Sequence, residues 1–254
     1  MSASAPELAV EFRGAGKDFL DPTGRPVTAV ASVDLGLRVG ETLCVIGTSG
    51  SGKTTLLKMV NRLVEPTRGS LAVGGTEVLT QDPVTLRRGI GYVIQSGGLF
   101  PHMSVARNIG ILPDLEGWDT ARRDARVREL LELVRLPPDE FGQRMPSELS
   151  GGQRQRVGVA RALVLDPAVV LMDEPFGALD PITRARLRTE FVELKTAVHK
   201  SVIFVTHDMA EAFALGDRIA LMDHGRLVQV GTEADFRERP AESFVTTFLA
   251  EHFA

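Results

Sequence analysis

Apolar positions recur along this chain with two periods, and the changes of period divide it into elements. "LAVEFRG" and "VDLGLRVG", on either side of the turn-rich "LDPTGRPV", read as strands and predict an N-terminal antiparallel β layer. From Glu41 the pattern changes. "TLCVIG" is a short apolar run of the buried-strand kind, a glycine loop follows it, and "KTTLLKMVNRL" has helical spacing, so a strand–loop–helix unit opens here. Residues 97–161 read as mostly helical, with Val127, Leu130, Leu131 and Val134 forming a core-facing stripe. "AVVLMD" and "SVIFVTH" are then two β-rich runs separated by a helix, the alternation of a parallel sheet. "RIALMDHGRLVQVG" predicts a hairpin, and a short helical tail follows. No internal repeat or flexible linker interrupts this order. The expected organisation is one α/β domain over residues 1–254, with a helical insertion at about 97–161.

Composition narrows the class. The 254 residues are 43% hydrophobic and 24% charged with a net charge of -4, an ordinary globular balance that argues against nucleic acid as a partner. Cys44 is the single cysteine and sits in the apolar run "TLCVIG", so it reads as a buried thiol and no intrachain disulfide is possible. "MSASAPELAV" lacks the basic-then-apolar pattern of a secretion signal, and no segment approaches the ~18 uninterrupted apolar residues of a membrane helix. A cytoplasmic location is expected, with any membrane association made through a partner.

Five short motifs carry chemistry. "GTSGSGKT" (Gly47 to Thr54) matches G-x-x-x-x-G-K-[ST] between a strand and a helix. In that context Gly47, Ser49, Gly50 and Gly52 let backbone amides curl around phosphates, Lys53 places its ammonium on the β- and γ-phosphates, and the Thr54 hydroxyl binds Mg2+. "VVLMDEP" ends an apolar strand in two carboxylates: Asp173 is placed to hold Mg2+ and Glu174 to polarise an attacking water as general base. His207 after "SVIFVT" is a candidate donor to a γ-phosphate, or an ordinary residue at a sheet edge. Gln95 after "GYVI" is a candidate for Mg2+ and the attacking water, or an ordinary polar strand end. In "ELSGGQRQRVGVARAL", Ser150 and Gln153 have capping-box spacing. Gly151 and Gly152 each cost a helix up to ~1 kcal/mol against alanine, so an anion approaching a bare helix end stands as an alternative to a plain cap.

The ordered set "GTSGSGKT", "VIQ", "LSGGQ", "VVLMDE", "GALD" and "VTH" resembles the ATP-binding subunit of ABC transporters across nearly the whole chain. The resemblance implies a P-loop NTPase (RecA-like) core, an N-terminal antiparallel β layer and a helical insertion carrying LSGGQ, with ATP and Mg2+ as ligands. It also implies a head-to-tail pair of ATPase domains, identical or merely similar, in which Ser150, Gly151, Gly152 and Gln153 of one copy meet the γ-phosphate held by the other. By the same resemblance Thr55 joins the phosphate site, Gln95 links nucleotide to a transmembrane permease, and Asp180 contacts the opposite phosphate loop. Phe19 would stand against adenine, where tyrosine is more usual; a core role for it, with Phe12 close by, stays open.

"MVNRLVEPTRG", "LRRGIGYVIQSGGLFPHMSVARNI" and the Gly117-Trp118 pair are similar to the ATP-binding subunits of glycine betaine, choline and related osmoprotectant importers. That group works at the cytoplasmic face of the membrane, with an extracytoplasmic solute-binding protein as an indirect partner. Leu99, Phe100 and Met103 lie in a predicted loop that suits a permease contact or packing of the insertion. Many members continue into paired regulatory CBS modules, and the end at Ala254 leads us to expect none here. The wording "QSGGLF" departs from the group and leaves an amino-acid importer or lipid-transport ATPase as alternatives. A soluble ABC ATPase normally carries two ATPase domains or a coiled-coil insertion. A non-hydrolysing homologue would lack Lys53 or Glu174.

Overall fold

The computed structural model describes residues 7–95 and 98–252. The expected start of the insertion at Gly97 and the two chain ends lie outside the described residues. The chain separates into two compact units: residues 1–87 with 200–254, and residues 88–199.

The first unit begins with β1 (Leu8–Leu20) and β2 (Pro26–Arg38), followed by β3 (Thr42–Gly47), α1 (Lys53–Val60), β4 (Arg68–Val73), β5 (Thr76–Glu77) and α2 (Pro83–Arg88). β2, β1, β4 and β5 pair in that order as an antiparallel sheet, so the predicted N-terminal layer is present. β4 and β5 belong to it as well, although the sequence pattern had not marked them. The β1–β2 hairpin also runs further than the apolar pattern. Its last pairs, Phe19 with Val27 and Leu20 with Pro26, are solvent-exposed and leave no burial signal to read. α1 ends at Val60 rather than running on to Leu63, because Arg62 turns into the left-handed region at φ 53°.

The second unit contains β6 (Ile90–Val93), α3 (Val105–Leu115), α4 (Thr120–Leu133), α5 (Pro138–Phe141), α6 (Gly151–Leu163), β7 (Val169–Asp173) and α7 (Pro181–Val198). β6 and β7 run parallel, while α3, α4 and α6 pack on one another. The α4 stripe is core: Val127, Leu130, Leu131 and Val134 are all buried. Asp119 starts α4 by accepting from the Arg122 amide at 2.9 Å. This compact unit is wider than residues 97–161, since α6 packs on β6, β6 pairs with β7, and α7 packs on α6.

The chain then returns to the first unit with β8 (Ser201–Val205), α8 (Met209–Leu215), β9 (Arg218–Asp223), β10 (Arg226–Gly231), α9 (Glu233–Glu238) and α10 (Ser243–His252). Here β3 lies between β8 and β9 and parallel to both, and β10 folds back antiparallel on β9 as the predicted hairpin. Every residue of β3 and β8 is buried, which is why both read as unbroken apolar runs rather than alternating ones. Cys44 sits in this core at 0% exposure. No helix among the described residues is long and apolar enough to cross a membrane.

Candidate nucleotide site

The phosphate loop leaves β3 at Gly47 and enters α1 at Lys53. Two of its glycines are obligatory on steric grounds. Gly47 has φ 145°, and a β-carbon there would lie 2.0 Å from the Met222 carbonyl; Gly52 has φ 97°, with the Ala29 carbonyl 2.2 Å from the same position. The loop is pinned from outside by the Gly225 amide donating to the Ser51 carbonyl at 3.1 Å and by Thr48 Oγ1 donating to Asp223 at 3.2 Å. Inside it, Lys53 Nζ donates to the carbonyls of Gly47 (2.9 Å) and Thr48 (2.8 Å), which centres a buried ammonium in the ring of backbone. Ser49 and Gly50 form the exposed rim, and Thr54 and Thr55 are half-buried on the first turn of α1. That turn carries no acidic residue of its own to oppose an anion at its amides.

Phe19 and Phe12 separate clearly. Phe12 is 2% exposed and belongs to the core, whereas Phe19 is 43% exposed with the Lys17 ammonium 5.1 Å above its ring. Phe19 pairs with Val27 across the hairpin, and Ala29, two residues further along β2, is the backbone against which Gly52 packs. The same strand therefore carries the partner of the exposed ring and a wall of the loop.

His207 follows β8, whose Val205 is in register with Val45 of β3, so His207 and the phosphate loop leave adjacent parallel strands at the same end. The residues flanking it in the chain left no signal that was used. Thr206 donates its hydroxyl to Glu211 at 2.5 Å and accepts from the Asp208 amide at 3.0 Å, while Asp208 caps α8 through the amides of Ala210 and Glu211. Glu211 is 2% exposed. The D-x-x-E spacing of "DMAE" was the available signal, although here the glutamate turns to Thr206.

In the second unit, Val93 of β6 is in register with Met172 of β7. Two residues beyond each, Gln95 Nε2 donates to Glu174 Oε2 at 3.4 Å. Asp173 is buried at 8% exposure, and Glu174 takes φ 43°, an uncommon conformation for a residue other than glycine. Behind them Tyr92 has its phenol pushed up to about 12, by burial first and then by the Asp173 carboxylate.

The predicted capping box is present at the start of α6. The Gln153 amide donates to Ser150 Oγ at 3.2 Å, and Gln153 Oε1 accepts from the Ser150 amide at 2.8 Å. The glycines have a packing role that the sequence did not disclose. A β-carbon on Gly151 would stand 3.0 Å from Leu179, and one on Gly152 would stand 3.0 Å from Thr183 and 3.3 Å from Leu187, so the starts of α6 and α7 lie side by side. Asp180 caps α7, accepting from the Thr183 amide at 3.0 Å, and bonding to Thr183 holds its carboxyl below the usual range.

The loop containing Leu99, Phe100 and Met103 is tied down by Asn108, a fully buried side chain that accepts from the Phe100 amide at 2.8 Å and donates to the Met103 carbonyl at 2.9 Å. Phe100 stays 41% exposed with the Arg161 guanidinium 5.7 Å from its ring, while Leu99 and Met103 are half-buried.

Residues 30–177, more than half of the chain, match the family described as ABC transporter. The choline transport ATP-binding protein OpuBA of Bacillus subtilis is 53% identical over 88% of this chain and 58% of its own length. The osmoprotectant import ATP-binding protein OsmV of Salmonella typhimurium is 45% identical over 95% of this chain and 63% of its own. The chain thus spans about three-fifths of the length of these curated relatives. Among solved structures, the dimeric post-hydrolysis state of the ATP-binding cassette MJ0796 bound to ADP and Pi superposes with a TM-score of 0.78 at 30% identity, covering 88% of this chain and 98% of that one. The phosphate loop on β3, the acidic end of β7 and the match over 30–177 agree: the chain belongs to the ABC transporter family.

Proposed function

We propose that this protein is the ATP-hydrolysing subunit of a membrane importer for a quaternary-amine osmoprotectant such as choline or glycine betaine. One observation carries the hydrolytic part: Glu174 stands just beyond an apolar strand with the Gln95 amide on its carboxylate, the arrangement of a base whose water is oriented by a neighbouring amide. The solute class is supported by the relatives, whose names specify choline and osmoprotectant transport. It comes by association only, since no residue described above selects a solute.

Lys53 and the amides opening α1 bind the β- and γ-phosphates of ATP, Phe19 stacks on adenine, and His207, next in the chain to the buried Thr206–Glu211 pair, donates to the γ-phosphate. Glu174 takes the proton of the attacking water. The residue chemistry suits Mg2+: Thr54 would offer it a hydroxyl, Asp173 a carboxylate and Gln95 a carbonyl oxygen. So few protein oxygens suit an ion that keeps waters and binds phosphate. When bound, Mg2+ neutralises charge on the phosphates.

A second ATPase copy, identical or paired, receives Ser150, Gly151, Gly152 and Gln153 at its γ-phosphate, with Asp180 beside them. The dimeric form of the similar cassette supports this arrangement. Hydrolysis then removes the group that both copies hold, and the difference in contact energy between states drives the permease. The protein accordingly works peripherally at the cytoplasmic face, with a solute-binding protein as an indirect partner.

The test is ATP-driven uptake of labelled choline and glycine betaine by vesicles containing the chain and the membrane protein that co-purifies with it. Uptake that requires Lys53 supports the proposal. A co-purified permease without uptake of either solute overturns the solute class, and absence of any membrane partner favours a soluble ABC ATPase.

A further inference from the structure

α6 and α7 touch at their N-terminal ends through Gly152 against Thr183 and Leu187. The wedge between them, closed by the end of α4 at Leu133 and Val134, holds a cavity of about 230 Å³. Its wall is apolar, formed chiefly by Val159, Phe176, Leu187, Phe191 and Leu194, with Phe176 and Phe191 edge to face at 6.1 Å. A cavity of roughly 150 Å³ is enough to take benzene, so this one admits a ring with a short substituent.

Two features specify the substituent. Gln155, 3% exposed and one turn beyond Gly152 on the same face of α6, lines the cavity with its Nε2 buried and lacking an acceptor; Arg156 Nε beside it is in the same condition. Two buried donors without acceptors call for an acceptor from outside, since each unmade bond costs ~1–3 kcal/mol. The charges around the cavity cancel. Arg156 Nη2 binds both oxygens of Glu190 at 2.7 and 2.5 Å, and Arg135 binds Glu193, so the two lining cations are matched by two lining acids and neither sign of ligand gains from them.

We propose that this wedge is a binding site for a small uncharged amphiphile whose carbonyl-type oxygen accepts from the Gln155 amide and whose apolar body fills the space between α6 and α7. An occupant fixes the angle at which the two helices part, and the Ser150 and Asp180 caps ride on their ends.

The experiment is a methyl NMR titration of the full chain, following Val159, Leu187 and Leu194, with three probes: acetophenone, ethylbenzene of similar shape without the acceptor, and the anion benzoate. The expected result is saturable shifts at these methyls, with acetophenone binding about 10-fold more tightly than ethylbenzene or benzoate. Gln155→Met, similar in length and lacking the donor, removes that difference. No saturable shift with any probe means that the cavity holds only water and overturns the site. Equal binding of acetophenone and ethylbenzene overturns the role of Gln155, and tightest binding of benzoate overturns the uncharged class. The comparison in the wild-type chain needs no variant, so a folding defect in Gln155→Met leaves the test intact. Binding is read without nucleotide and stands or falls apart from the ATPase proposal.

Discussion

Gln95 Nε2 lies 3.4 Å from Glu174 Oε2, and the parallel register of Val93 with Met172 is what brings them together. In the proposed mechanism the two side chains act as a unit: the amide orients the water and the carboxylate accepts its proton. Glu174→Gln should keep nucleotide affinity and lower the steady-state rate of phosphate release by ~10²–10⁴-fold, the usual contribution of a general base. Gln95→Ala should slow release less. In the Glu174→Gln background it should add almost nothing, because groups acting as a unit are not additive. Unchanged release in Glu174→Gln sinks the assignment of the base.

Lys53 is held by carbonyl groups of its own loop, so in the proposed site its removal acts on phosphate binding and on the loop together. Hydrogen bonds from a charged donor contribute ~1.5–3 kcal/mol, which predicts a ~10–100-fold loss of ATP affinity in Lys53→Ala by equilibrium dialysis. Affinity within a factor of two of wild type would count against a phosphate role.

Phe19 and Phe12 give a paired control. Phe19 is 43% exposed, so Phe19→Ala should leave the thermal midpoint unchanged while ATP affinity falls by the ~1–3 kcal/mol of a lost base–aromatic stack. Phe12 is 2% exposed, and Phe12→Ala should cost ~3–5 kcal/mol of stability. If Phe19→Ala binds ATP as wild type does, adenine stacks elsewhere.

The contrast also shows what the sequence made legible. β3 and β8 were readable because strands buried on both faces leave unbroken apolar runs. The phosphate loop was readable because its glycines answer a backbone requirement that no other residue meets, as at Gly47 and Gly52. The outer end of the β1–β2 hairpin left no such trace, since Leu20 is 74% exposed and selects nothing by burial. Thr206, Glu211 and Asn108 were also missed. Each is a polar side chain buried for a hydrogen bond whose partner becomes its neighbour only through the local turn.

Tyr92 is the only tyrosine in the chain, which makes its titration directly visible as phenolate absorbance. Its folded-state value is raised to about 12 from 10.0, by burial and then by Asp173. A raised value means the folded state holds the proton more tightly than the unfolded one, so this contribution is complete below pH 10 and is lost as pH rises toward 12. Phenolate should therefore appear well above pH 10 in the native protein, and Tyr92→Phe should lose less stability than wild type between pH 10 and 12. Titration at the ordinary phenol value with the fold intact would contradict the buried setting. Asp173→Asn should move the onset downward, since it removes the second cause.

Gly152 separates two reasons for a glycine at the start of α6. If the residue serves only to let an anion approach, alanine should stabilise the free protein, because it gains helix propensity of up to ~1 kcal/mol. The packing argues otherwise: the added carbon would sit 3.0 Å from Thr183 Cγ2 and 3.3 Å from Leu187 Cδ1, tighter than an unstrained contact. Forcing an extra carbon into a packed interface costs ~1–3 kcal/mol, so Gly152→Ala should lower the denaturant midpoint on balance. Thr183→Ser removes the nearest methyl while keeping the backbone amide that Asp180 caps. The double variant should thus recover the midpoint and, with the propensity gain retained, reach or pass that of Thr183→Ser alone. Gly151→Ala meets only the flexible tip of Leu179 at 3.0 Å and should cost less. A midpoint that rises in Gly152→Ala alone would return the glycine to the anion.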